Sequence, residues 1–202
     1  MNIPGNYYDK YHTKNPIAKW LLNGFKKNLL NLIERIDFQK VIEAGCGEGE
    51  ITNLLKKYKP HITIKGFDID EEIIREAQRR FPHFPFFVAS IYQIPYPDKY
   101  FDLVVACEVL EHLEEPEKAI VELSRVSNKY VLLSVPREPI WRILNIARGK
   151  YISALGNTPG HIQHWTKKRF VSMVSRHLQI LEITNPFPWT MVLCKVKRQA
   201  EN

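Results

Sequence analysis

The chain has 202 residues, 45% of them hydrophobic and 25% charged, the size and balance of one globular domain with a sizeable core. Its net charge of +7 suits a phosphorylated substrate, a nucleic acid or an anionic membrane surface without choosing among them. No apolar run of about eighteen residues occurs, so no helical membrane span is expected. Three scattered cysteines, Cys46, Cys107 and Cys194, lack metal-site spacing and read as free thiols of a reducing compartment.

The opening stretch MNIPGNYYDKYHTKNP has no basic-then-apolar leader pattern, and a cytoplasmic protein is expected. Its Tyr7, Tyr8, Tyr11 and His12 are candidates for a lid. From Pro16 to Ile36, Ile17, Trp20, Leu21, Phe25, Leu29, Leu32, Ile33 and Ile36 recur at helical spacing opposite lysines. That stripe predicts an amphipathic helix packed on a sheet, with a membrane-surface helix as the alternative. Short apolar runs then alternate with helical patterns: strands over 41–44, 62–67, 86–89, 101–106 and 130–135, helices over 48–58, 71–80 and 116–126. Such an order implies parallel strands with right-handed crossovers.

Residues 136–165 form the one long irregular connection, and the amphipathic IWRILNIARGKY within it predicts a cap rather than a loose loop. A helix over 167–176 follows, then strands over 179–183 and 190–196 whose short link, containing NPFPW, makes an antiparallel pair. The expected fold is therefore α/β, a doubly wound, mostly parallel, Rossmann-like sheet ending in an antiparallel hairpin. A single domain is expected, divided into an N-terminal helical segment (1–38), a core (39–135), the cap (136–166) and a C-terminal helix and hairpin (167–202).

The stretch VIEAGCGEGE at 41–50 leaves a strand and opens a helix. Gly45 and Gly47 permit a tight turn, and the helix-start N–H groups favour an acceptor. Asp68 ends the next strand, where a carboxylate accepts both hydroxyls of a ribose; its competing role is helix capping, which Asp70 can take instead. A nicotinamide-dependent oxidoreductase fits less well. Glu50 stands where the dinucleotide fingerprint has its third glycine, and Glu43 would sit badly beside a pyrophosphate. A ligand with a ribose and a cationic end suits the turn better.

In these motifs the sequence resembles the class I S-adenosylmethionine-dependent methyltransferases of the type 11 small-molecule group. VIEAGCGEGE matches their first motif, GFDID (66–70) the acidic second one, and FDLVVACEVLEHL (101–113) the fourth strand with its loop. The resemblance implies that Glu43, Gly45, Cys46, Gly47 and Gly49 hold the methionine part of S-adenosylmethionine. It further implies that Asp68 binds the ribose, that Ile69, Ser90 and Ile91 flank the adenine, and that Cys107 and Glu108 face the reactive end. Serine at 90 departs from the acid frequent there in the family.

Glu108, Glu111 and His112 make an E-x-x-E-H cluster, expected on one face of a helical turn. With His161 or His164 from the cap they would suit a divalent metal, as in ubiquinone-pathway and small-RNA methyltransferases, or would move a proton. Glu108, Glu111, His112, His161 and His164 are the catalytic candidates. The acceptor expected is a small molecule, lipid or sugar-containing precursor, methylated on oxygen, with nucleic acid not favoured. A non-catalytic S-adenosylmethionine-binding module and an RNA methyltransferase are the alternatives. The basic first helix and the cap also leave room for weak membrane-surface association, provided an amphipathic face stays exposed after folding.

Overall fold

A computed structural model describes residues 14–197; the candidate lid residues Tyr7, Tyr8, Tyr11 and His12 lie outside them. In chain order the elements are α1 (Pro16–Glu34), β1 (Lys40–Ala44), α2 (Glu50–Tyr58), β2 (Thr63–Asp68), α3 (Glu71–Arg80), β3 (Phe86–Val88) and β4 (Phe101–Cys107). A short 3-10 turn (Leu110–His112) leads into α4 (Pro116–Val126) and β5 (Ser127–Pro136). The cap contributes α5 (Ile140–Ala147) and a second 3-10 turn (Ile152–Ala154), and α6 (Lys167–His177), β6 (Leu178–Thr184) and β7 (Trp189–Val196) complete the fold.

The seven strands lie in the order β3-β2-β1-β4-β5-β7-β6. β1 to β5 are parallel, and β7 runs antiparallel to both β5 and β6. This is the Rossmann-like sheet with the terminal hairpin that the strand pattern predicts. Alternate strand residues feed two cores, because successive side chains point to opposite faces. Val41, Leu103 and Val105 join Phe25, Leu29, Ile33, Leu55 and Ile74 of α1, α2 and α3 on one face. Ile42, Val104 and Ala106 join Ile120, Leu123, Phe170 and Val174 of α4 and α6 on the other. Each such side chain contributes about 1.5–3 kcal/mol by leaving water.

The helix starts follow from their caps. Asn15 Oδ1 accepts the N–H groups of Ile17 and Ala18 at 2.9 and 3.2 Å, and Asp70 Oδ1 those of Glu72 and Ile73 at 2.8 and 3.3 Å. Asp70 is thus the cap of α3, and Asp68 is left for another task. α2 begins two residues later than the pattern suggests, because Gly49 at φ 84° is left-handed and cannot be helical.

Candidate active site

The chain builds outward from β1 to β3 on one side and then crosses to β4 on the other. Where the winding reverses, a crevice opens beyond the carboxyl ends of the strands, the usual ligand position in such sheets. Its wall contains Glu43, Gly45, Cys46, Gly47, Asp68, Ile69, Ser90, Ile91, Cys107, Glu108 and His112. Sequence reasoning singled out all of these.

Glu43, at the end of β1, is 2% exposed and accepts a hydrogen bond from the Thr52 hydroxyl of α2. Asp68 Oδ2 accepts from the Gly47 N–H at 3.1 Å, and Oδ1 from the Asp70 N–H at 3.2 Å. Burial holds the Asp68 carboxyl above its usual range, against the opposing pull of the N–H groups of Asp70, Gly47 and Ile69. Cys46 lies between the two acids. Burial, then Glu43 and Asp68, push its thiol well above the ordinary range, so Cys46 lines the wall as a neutral thiol and is no nucleophile.

The glycines divide by task. Gly45 has φ 66° and a Cβ there would stand 2.4 Å from Val109 Cγ2, so the turn closes against the β4 loop only without a side chain. Gly49, expected among the ligand-facing glycines, does not line the crevice. A Cβ on it would come within 2.6 Å of the Phe86 ring, so close packing of α2 over β3 explains it.

Beyond β4 the expected single helical face for Glu108, Glu111 and His112 does not form. Glu108 has φ 57°, a left-handed backbone uncommon for any residue but glycine, and the 3-10 turn begins only at Leu110. Glu108 lines the crevice, as His112 does, but stands outside the group that His112 forms with Glu111. Glu111 and His112 instead meet His161 of the cap, the three offering ligand atoms within 4.8 Å of one another. The cap is tied down here by backbone bonds: the N–H groups of Ile162 and Gln163 both donate to Glu111 O, at 2.9 and 3.0 Å. His112 Nδ1 lies 3.0 Å from Gly160 O. A carbonyl can only accept, so Nδ1 carries the proton in this bond, and Nε2 is the nitrogen that holds the lone pair whenever the ring is neutral. His164, expected at the mouth, turns to Glu138 at 3.7 Å and lines a separate cleft beside α4 and α6.

The Methyltransferase domain family matches residues 42–133, the span that builds this crevice. Over these residues the chain is a class I S-adenosylmethionine-dependent methyltransferase domain. The chain is 32% identical over 110 residues to an uncharacterized methyltransferase of Schizosaccharomyces pombe, covering 49% of this chain and 39% of that one. Against the demethylmenaquinone methyltransferase of Thermotoga maritima it is 25% identical over 127 residues, covering 62% and 56%. The chain thus spans roughly half or less of the length of these curated relatives. Among solved structures, the S-adenosylhomocysteine-bound magnesium protoporphyrin IX methyltransferase of Synechocystis superposes with a TM-score of 0.68 at 18% identity, over 95% of this chain and 91% of that one. At that identity the likeness is one of fold.

Several residues that shape the methyltransferase crevice escaped the sequence reading. Tyr92 follows the predicted adenine flank directly and lines the crevice; its hydroxyl accepts the Glu115 N–H at 3.3 Å. Gly66 of β2 has no room for a side chain, since a Cβ would lie 2.8 Å from Phe86 and 2.9 Å from Cys46. Trp141 of α5 stacks on His161 at 6.0 Å and donates through Nε1 to Thr158 Oγ1 at 2.9 Å. Arg125 of α4 donates to Ile94 O, Tyr96 O, Asp98 and Glu122, pinning the loop that follows Ser90 and Ile91. A solitary arginine in a helix carries no sequence signal for that task.

Proposed function

We propose that this domain moves the methyl group of S-adenosylmethionine to a hydroxyl of a small-molecule, lipid or sugar-containing acceptor. The observation that carries the reading is the pairing of the buried Glu43 and the half-buried Asp68 with the Gly45–Gly47 turn, facing His112 across one crevice. Two acids suit a ligand with a cationic end and a ribose, and would repel a pyrophosphate. The methyltransferase named for demethylmenaquinone among the relatives favours a small acceptor over a macromolecule.

In this reading Glu43 and the α2 start, whose Gly49 cap supplies no side-chain bond, hold the amino-acid end. Asp68 holds the ribose hydroxyls, and Ile69, Ser90 and Ile91 flank the base. The Ser90 hydroxyl already accepts the Tyr92 N–H at 3.2 Å, so its own proton remains available for the base. Bound S-adenosylmethionine supplies an electrophilic methyl on a sulfonium, lost in line as a neutral thioether leaves. Glu108, Cys107 and Val109 shape the wall where that methyl would point. His112 Nε2 takes the acceptor proton as the new carbon–oxygen bond forms, and the Nδ1 bond to Gly160 O fixes the ring for that role. The fixed crevice contributes mainly by orientation and exclusion of water.

A second reading of the mouth rests on Glu111, His112 and His161, whose donors converge. Two imidazoles and a carboxylate fit a divalent cation, which would lower the pKa of an acceptor hydroxyl. Both readings are tested by incubating the protein with methyl-labelled S-adenosylmethionine and a cell extract, then counting label in lipid, small-molecule, protein and nucleic-acid fractions. Label in the lipid or small-molecule fraction supports the proposal, and label in RNA or protein overturns it. Loss of labelling with chelator, restored by added metal, would favour the second reading.

A further inference from the structure

The cap helix is inside out. Asn145 of α5 is 1% exposed, while Ile143 and Ile146 beside it are 58% and 44% exposed. The buried amide is fully engaged, donating to Gly156 O at 2.8 Å and to Thr158 Oγ1 at 3.1 Å. A surface helix of an ordinary globular protein shows the opposite pattern. The following turn adds Ile152 and Leu155, 62% and 70% exposed, and Leu155 takes a left-handed backbone at φ 49°, where a bulky residue is an outlier.

This face is rigid. Arg142 Nε donates to Leu155 O at 3.0 Å, and Gly156 packs so tightly on α5 that a Cβ would lie 2.2 Å from Arg142 O. Its charge is of one sign. Residues 139–181 include no aspartate or glutamate, whereas Arg142, Arg148 and Lys150 lie among the exposed isoleucines. Glu138, just before the stretch, faces His164. α1 has the same chemistry at its start, exposing Ile17 and Trp20 beside Lys14 and Lys19, with no acid from 14 to 33. The two helices meet at Trp189, which touches Phe25 of α1 at 5.1 Å and Trp141 of α5 at 5.7 Å.

Single exposed isoleucines need no explanation, but several on one rigid face mark a contact surface. Cations without acids call for an anionic partner. Aliphatic side chains argue against nucleic acid, which is held by cations and stacked aromatic rings. Branched aliphatics ringed by arginine and lysine are the chemistry of an interfacial helix on acidic lipid. We propose that the cap face docks on the anionic surface of a lipid bilayer. The inference does not depend on methyl transfer, since it concerns the outer face of the cap.

The test is pelleting of the full chain with vesicles of phosphatidylcholine, with and without phosphatidylglycerol. Binding to the anionic vesicles, weakened by salt, is expected. Ile143→Asn with Leu155→Ser, and separately Arg148→Gln, which keeps an N–H donor for Asn145 Oδ1, should each lower partitioning about tenfold, with S-adenosylmethionine binding and thermal unfolding unchanged. These are exposed positions, and the charge variant leaves the apolar groups intact. Absence of vesicle binding at low salt overturns the proposal, as does equal binding by the variants. A dimer in sedimentation that the apolar variant converts to monomer would make the face a self-association surface and overturn it too.

Discussion

Gly45 offers the sharpest trial of the crevice geometry. Replacing it with alanine places a Cβ 2.4 Å from Val109 Cγ2 and 3.2 Å from Cγ1, on a backbone at φ 66°. The left-handed conformation costs about 1–2 kcal/mol for an L side chain, and overpacking adds about 1–3 kcal/mol. Gly45→Ala should therefore lose about 2–5 kcal/mol, a large share of the roughly 5–15 kcal/mol typical of a domain. Val109→Ala removes the obstructing methyl groups at a cost of about 1 kcal/mol, but leaves the backbone strain in place. The double variant should accordingly be more stable than the sum of the single losses by about 1–3 kcal/mol. Urea unfolding of the four proteins measures that coupling directly. A coupling within about 0.5 kcal/mol of zero, or a Gly45→Ala protein as stable as the parent, would refute the steric account of this turn.

Other outcomes follow from the same geometry. Asp68→Asn should weaken S-adenosylmethionine binding by about 1.5–3 kcal/mol, roughly 10- to 150-fold, measured by calorimetry. Because the folded Asp68 pKa is raised, the folded state holds its proton more tightly than the unfolded chain. Stability therefore falls as pH rises from the ordinary carboxylate range through the raised value, while cofactor affinity, which needs the ionised form, rises over that window. Asp68→Asn should flatten both dependences. His112→Asn should lower turnover about 100-fold or more with cofactor affinity retained, and equal turnover would remove it as the base. Arg125→Ala should cost about 2 kcal/mol in urea unfolding through its lost charge-assisted bonds and weaken cofactor binding by freeing the 91–98 loop; unchanged affinity would separate that loop from the site.

Much of the fold was legible because parallel strands buried on both faces read as apolar runs. The bounds of α3 and α4 were legible to the residue, since Asp70 caps one and Pro116 opens the other. The start of β5 was not. Ser127 and Asn128 are polar, yet Ser127 is buried with its hydroxyl donating to Tyr130 O at 2.8 Å, and a register shift near Phe101 accommodates the extension. In the crevice, the acids and the first two glycines of the turn were legible by type and spacing. The left-handed Glu108 was not, because no local pattern announces it. Nor could spacing show that His161, rather than His164, meets His112, since that choice is made by cap backbone bonds between residues some fifty positions apart.

Those bonds have a consequence for how such a domain changes over time. The returning segment of the cap is fastened to Glu111 O through the main-chain N–H groups of Ile162 and Gln163, and main-chain donors are present whatever side chains accompany them. The fastening itself therefore calls for no particular side chain at 162 or 163. A lineage could exchange the insert between Pro139 and Gly160 for another of different shape and polarity, held by the same two main-chain bonds, and keep the strands and glycine turn beneath it unchanged.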